Sequence, residues 1–275
     1  MHRRLALCLL TLAASNLAPA LVLAQSTADE ALQAAIANPL RTPAFAARDG
    51  WRHPHETLTF FGIRPDMSVV EISPGGGWYT EILAPYLRLR GQLSLAADDP
   101  QSIHAYYRRS AERLQAKLQA KPEAYDRVRI TVFEPPRTIQ IAAAGSADLV
   151  LTFRNVHNWA ATGEDAVKAV FKAVHDSLKP GGVFGVVDHR LPADRVQDAK
   201  AGSGYVHTAY VTRIAASVGL QLDASSEVNA NPKDSADHEG GVWALPPSFA
   251  NKDKDRARYS AIGESDRMTL RFVKR

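Results

Sequence analysis

Cysteine is almost absent from this chain of 275 residues: Cys8 is the only one. A single thiol excludes an internal disulfide and any metal site built on several thiolates. Long apolar runs are also missing. Leu5 to Leu12 is apolar, but Ser15, Asn16 and Pro19 interrupt it before the roughly 20 residues of a membrane helix accumulate. Charge of one sign is scarce as well, with 33 Lys and Arg against 29 Asp and Glu for a formal net charge of +4. No basic run with interleaved aromatics occurs, so nucleic acid is not an expected partner. No internal repeat is visible, which excludes a solenoid or propeller.

The N-terminus carries an export pattern. His2-Arg3-Arg4 is a basic stretch, Leu5 to Leu12 an apolar one, and Val22-Leu23-Ala24 a small-residue cleavage motif. Residues 1–24 are expected to be a signal peptide cut after Ala24, giving an exported, periplasmic protein in a Gram-negative source. Cys8 would leave with it. No stable membrane insertion is expected after cleavage.

The remaining length suits one large α/β domain or two small ones. Strand-like runs at Ser68–Ile72, Gln92–Ala97, Arg127–Phe133, Ala147–Phe153 and Val183–Asp188 alternate with helical patterns, the mark of a parallel sheet with helices on both faces. Val167, Val170, Phe171, Val174 and Leu178 make one apolar stripe, stopped by Lys179-Pro180-Gly181-Gly182. Helices at Ala28–Ala37 and Pro54–Phe61 are expected to form an N-terminal cover, residues 25–66. A helix at Thr208–Val218 and strands at Leu220–Val228 and Met268–Val273 complete the α/β domain, residues 67–275. Residues 229–250, with Trp243 and Pro246-Pro247, read either as a lid on the sheet's ligand edge or as a strap packing Trp243 into the core.

The most telling stretch is V-V-E-I-S-P-G-G-G-W, residues 69–78. A β-branched run ends in an acid, then breaks into a glycine-rich turn followed by a helical pattern. Glycines let the backbone approach a ligand without Cβ clashes, and Glu71 is placed to accept hydrogen bonds from a ligand's amino or hydroxyl groups. The segment resembles the acid-x-G-x-G-x-G cofactor loop of class I S-adenosylmethionine (SAM)-dependent methyltransferases. Glu71, Gly75 and Gly77 match, while Ser73 stands at the first glycine. The elements L-K-P-G-G-V, A-D-L-V-L-T-F with R-N-V-H-N-W, and V-D-H-R resemble methyltransferase elements in their usual order. The segments N-A-N-P-K-D and G-E-S-D-R-M-T-L are similar to an exported, poorly characterised group of predicted methyltransferases.

The resemblance implies a Rossmann-like methyltransferase fold: a mostly parallel seven-stranded sheet, helices on both faces and an antiparallel last strand. It implies S-adenosylmethionine as cofactor, held by Glu71, Ser73, Gly75, Gly76 and Gly77, with Asp98 (or its neighbour Asp99) on the ribose hydroxyls. Glu134 would reach the adenine side, or be a solvated turn residue. Phe153 and Asn155 would lie beneath the sulfonium, where aromatic faces and carbonyl oxygens favour a cation.

The acceptor would be a small molecule or an exported species, and catalytic candidates come from the ends of the fourth and fifth strands. His157 is the candidate base, or else a structural histidine bonded to backbone. Asn158 would orient substrate or cap the helix beginning near Gly163. Asp188 and His189 would form an acid/base or substrate-carboxylate site, or else a salt-bridged strand end. Tyr205 and His207 follow a glycine-flexible loop that would close over substrate, or lie on the surface. His104 and His175 read as solvated.

Two alternatives stand beside this reading. One is a non-catalytic periplasmic binding protein using the cofactor cleft for another metabolite, because SAM is made in the cytoplasm. The other is a metal-assisted hydrolase joining His53 and His55 to Asp237, His238 and Glu239. No metal ligands are assigned in the leading reading.

Overall fold

A computed structural model of the protein describes residues 17–275. The first sixteen residues of the expected leader lie outside the described residues, and Leu17–Ile36 is one helix running through the expected cleavage point. Among the described residues no helix is long and apolar enough to cross a membrane.

Seven strands form one sheet: β1 (Ser68–Ile72), β2 (Gln92–Ala97), β3 (Arg129–Val132), β4 (Ala147–Phe153), β5 (Leu178–His189), β6 (Leu220–Ser226) and β7 (Arg267–Lys274). Their order is β3-β2-β1-β4-β5-β7-β6. β1 pairs in parallel with β2 and β4, β2 with β3, and β4 with β5. β7 runs antiparallel to both β5 and β6. This is the expected fold class, with the last strand inserted between the fifth and sixth.

Alternation along the central strands builds a core on each face. Val70 and Ile72 of β1 and Val150 of β4 join Val167, Val170, Phe171 and Val174 of the helix Glu164–Ser177, the stripe read from sequence. Val69, Leu149, Leu151 and Phe153 point the other way, onto Phe61 and onto Ile82 and Leu83 of the helix Thr80–Leu87. Glu71 shares the parity of Val69, so a carboxylate is carried into that second apolar layer.

The N-terminal segment covers the same layer. Leu32 and Ala35 pack into it, and Trp78 Nε1 donates to the Phe45 carbonyl at 2.9 Å. The cover also includes short helices at Pro43–Ala46 and Asp49–Arg52, absent from the sequence expectation. Each is a single turn, too short for an apolar period to register.

The chain reverses its strand order between β1 and β4. In open α/β sheets that switch point opens a crevice at the strands' carboxyl ends, and the loops after β1, β4 and β5 all arrive there.

Candidate functional site

The glycine turn forms the floor of the crevice. Ser73 has φ +49 and Gly75 and Gly77 have φ +55 and +78, in the left-handed region that disfavours residues with a Cβ. Ser73 therefore occupies a conformation suited to the glycine it replaces, and its N–H donates to Ala96 O at 2.8 Å. Gly77 faces inward, where a Cβ would come within 3.4 Å of Lys117 and Thr80; a Cβ on Gly75 would meet nothing within 4 Å. Asn155 holds the turn from the next strand, its Nδ2 lying 3.2 Å from Ile72 O, 3.3 Å from Ser73 O and 3.0 Å from Thr152 Oγ1.

Glu71 lies beneath this turn. It is 2% exposed, accepts from Thr80 Oγ1 at 2.7 Å, and still reaches the wall of a cleft of about 410 Å3. Burial pushes its carboxyl up to about 7, against the opposing pull of the Thr80 hydrogen bond. A buried carboxylate without a cation is costly, so a ligand ammonium would restore the ionised form.

A second cleft of about 400 Å3 adjoins the first, and Ser73, Gly75, Tyr106, Asn155, Asn158 and Trp243 line both. Asp98 and Glu134, from the ends of β2 and β3, form its far wall. Burial raises the Asp98 carboxyl, and the Glu134 charge adds to the effect against a hydrogen bond from Ser110. Asp99 instead accepts from Gln101 N at 2.8 Å, closing a turn. Glu134 is 7% exposed, which overturns the solvated-turn alternative. Arg137 donates to its Oε1 at 3.0 Å, while its buried Oε2 has no partner. Two carboxylates with spare acceptor capacity suit hydroxyl and amino donors on a ligand.

At the opposite end lies a buried dyad. His157 Nδ1 is 2.8 Å from Asp188 Oδ1, and the His157 N–H donates to Oδ2 at 3.2 Å. That contact occupies Nδ1 and leaves Nε2 as the ring's other nitrogen. Asp188 is fully buried and, unlike His157 and His189, does not line the cleft. It meets the cleft through His157, whose ring and backbone it holds. The His189 N–H also donates to Asp188 at 2.7 Å, and His189 Nδ1 meets Ser265 Oγ at 2.5 Å. Burial first, then the charges of His157, Arg154, Arg267 and Arg52, hold His189 well below its ordinary pKa. Asn158 is exposed on the rim, with Nδ2 3.4 Å from Arg154 O. The helix Glu164–Ser177 starts at Gly163 without a side-chain cap, so Asn158 does not cap it.

His157, Asp188 and His189 are the one group among the described residues whose ligand atoms gather closely enough for a metal, within 4.8 Å. The donor set fits one poorly. Asp188 already accepts three N–H groups, and the guanidiniums that depress His189 would repel a cation. The histidines of the metal alternative are not gathered: His55 Nε2 lies 2.6 Å from Asp29, and His238 Nε2 is 2.7 Å from Asp234.

Segment 229–250 supplies the cleft's outer wall through Val242, Trp243, Pro246, Pro247 and Ser248. Trp243 is 39% exposed with its ring 6.2 Å from that of His157, so the core-strap alternative does not hold. Tyr205 is neither lid nor surface. It is 1% exposed and its hydroxyl donates to Asp234 at 3.0 Å, anchoring the segment together with His238. His207 lines a separate surface groove.

Sequence reasoning missed a set of arginines. Arg48 and Arg52 from the N-terminal cover and Arg154 after β4 line the cleft, and Arg267 lies behind them. Arg48 Nε, Arg52 Nε and Arg267 Nη1 all reach one carboxylate, Glu264, at 2.7, 3.2 and 3.4 Å. Arg48 and Arg52 share one face of a helical turn through i, i+4 spacing. Their common partner lies more than 200 residues away, and no local pattern announces it.

No family model matches the chain, and no curated protein matches it in sequence. Solved structures do resemble it. A SAM-dependent methyltransferase from Aquifex aeolicus superposes with a TM-score of 0.56 at 12% identity, covering 90% of this chain and 98% of that one. A Galdieria sulphuraria protein named for sarcosine and dimethylglycine methylation gives 0.55 at 14% identity over 83% and 85% of the two chains. The PH0226 protein of Pyrococcus horikoshii gives 0.54 at 12% over 86% and 94%. The chain thus has, over nearly its whole length, the fold found in SAM-dependent methyltransferases.

Proposed function

We propose that the protein transfers a methyl group from S-adenosylmethionine to a small-molecule acceptor. The observation carrying this reading is the pair of adjoining clefts across the β1/β4 switch point, acidic at one end and basic at the other. Asp98 and Glu134 suit the hydroxyls and amino group of a nucleoside, and the unpartnered Glu134 Oε2 is an acceptor waiting for such a donor. Glu71 suits an ammonium, and the glycine turn leaves room for the chain between the two ends. The cofactor supplies an activated methyl group on a sulfonium. Phe153 lines the same cleft with its ring stacked 3.5 Å from Tyr79, offering an aromatic surface to that cation.

Methyl transfer is a displacement at carbon, so the protein's main contribution is alignment. Where the acceptor atom carries a proton, His157 Nε2 is the base, oriented by Asp188 through Nδ1. The N-terminal pattern supports export, and we infer a periplasmic site of action. The test is a titration with S-adenosylhomocysteine (SAH), followed by the fluorescence of Trp78 and Trp243, which line the cleft. Saturable quenching supports the reading. Unchanged fluorescence, together with an unchanged melting temperature, would overturn it.

A further inference from the structure

The basic end of the first cleft holds more cationic capacity than the chain satisfies. Among the described residues Glu264 is the sole carboxylate hydrogen-bonded to Arg48, Arg52 and Arg267. Arg52 is 1% exposed, yet its Nη2 is buried without a partner, and so is Nη2 of Arg48. Arg154 is only partly buried but has fewer partners still. Among the described residues its guanidinium makes no hydrogen bond or ion pair, although it lines the cleft beside His157 and His189. Its backbone has φ +64, a conformation that costs a non-glycine residue free energy and clusters at ligand sites. Burial, joined by repulsion from Arg267 and Arg48, pulls its guanidinium down to about 10 against the attraction of Glu264.

A fold that buries unpaired guanidinium groups destabilises itself unless an anion completes them. The cofactor does not meet that need. Its methionine end offers one carboxylate but also one ammonium, and the sulfonium adds a further positive charge, so its net charge is positive. Bringing it in leaves the cluster short of negative charge next to the transferred methyl. Guanidinium forks pair with planar carboxylates through two parallel hydrogen bonds.

We propose that the acceptor is a small carboxylic acid whose carboxylate is held by Arg154, with the free Nη2 groups of Arg48 and Arg52 behind it, so that its nucleophilic atom faces His157. This assignment rests on the methyl-transfer reading and names the acceptor's chemical class. Arg154 sets specificity, because a neutral acceptor would leave its charge unpaired. Phe153-Arg154-Asn155 then divides its roles: the phenyl ring faces the cofactor, the guanidinium the acceptor, and the amide holds the glycine turn.

The test uses malonate, its uncharged analogue malonamide and inorganic phosphate, each titrated into the full protein with and without saturating SAH. Trp78 fluorescence is the signal, since Arg52 lies 4.7 Å over that ring. Malonate is expected to bind the SAH-loaded protein and malonamide not to bind. Arg154→Gln should weaken malonate at least tenfold while leaving SAH affinity unchanged, and Arg154→Lys should restore part of the loss. Because Arg154 has no ion-pair partner to lose, the Gln variant should melt no lower than wild type, which separates lost binding from lost folding. Malonate displacing SAH, or Arg154→Gln weakening both equally, would assign the arginines to the cofactor's own carboxylate and overturn the proposal. Phosphate binding without malonate would overturn the choice of a carboxylate. If wild type fails to bind SAH but still binds malonate through Arg154, the anion site stands and the methyl-transfer reading falls.

Discussion

Replacing Glu71 by glutamine separates a carboxylate kept for a ligand from one kept for the fold. Glu71 is 2% exposed, has Thr80 Oγ1 as its hydrogen-bond donor, and is pushed by burial from 4.5 to about 7. Each pKa unit is worth about 1.4 kcal/mol, so the shift corresponds to about 3 kcal/mol of differential stability. The sign follows from proton counting. Between pH 4.5 and 7 the native carboxyl keeps a proton that the unfolded chain has released, so stability falls as pH rises through this window. It is fully present below the unfolded value and lost above the folded one. Glutamine carries no titrating proton here, and its Oε1 still accepts from Thr80.

Urea unfolding of wild type and Glu71→Gln at pH 4 and pH 8 is therefore expected to give near-equal stabilities at pH 4. At pH 8 the variant should be more stable by about 3 kcal/mol. The same variant should bind SAH more weakly at pH 8, because the partner of the ligand ammonium is gone. A gain in stability with a loss of binding marks a group held against the fold's interest for function. A stability difference independent of pH, or wild type more stable at pH 8, would refute the reasoning.

Three further outcomes follow from the same geometry. Glu134→Ala removes a carboxylate whose Oε2 is unpartnered; SAH affinity should fall roughly ten- to hundredfold, as for a lost hydrogen bond to a charged group, with little change in melting temperature. Asn155→Ala cuts the side-chain tie between β4 and the glycine turn; chemical denaturation should show a loss of about 1–3 kcal/mol, and undiminished stability would mean the turn holds its shape unaided. Trp243→Ala should leave folding intact, since the ring is 39% exposed, but accelerate SAH dissociation in stopped-flow measurements by opening the cleft's outer wall.

The sheet was readable in the sequence because its strands are short apolar runs bounded by breakers. Ser68–Ile72, Gln92–Ala97 and Ala147–Phe153 appear with those very boundaries. β3 is shorter than its apolar run because it lies at the sheet edge, with Ile130 half exposed. β5 is longer because the Lys179–Gly182 turn continues the pairing with β4 across a register shift. The glycine turn was readable for the same local reason: its chemistry sits within ten residues.

What the sequence hid is held by long-range partners. Tyr205 gave no sign that Asp234 would bury its hydroxyl. Nothing local to Asp188 showed that three N–H donors would surround it. The arginine cluster depends on Glu264 lying against the N-terminal cover, a contact spanning 216 residues at Arg48. Arg154 stood in a segment already singled out, yet its significance is the missing partner, which only a folded structure reveals.

The most direct measurement is isothermal titration of SAH into the wild-type protein and into Glu71→Ala at neutral pH. The account predicts saturable binding at a single site in wild type and its loss in a variant that remains folded by circular dichroism. No heat of binding in wild type, or equal affinity in Glu71→Ala, would contradict the assignment of this cleft to the methyl donor.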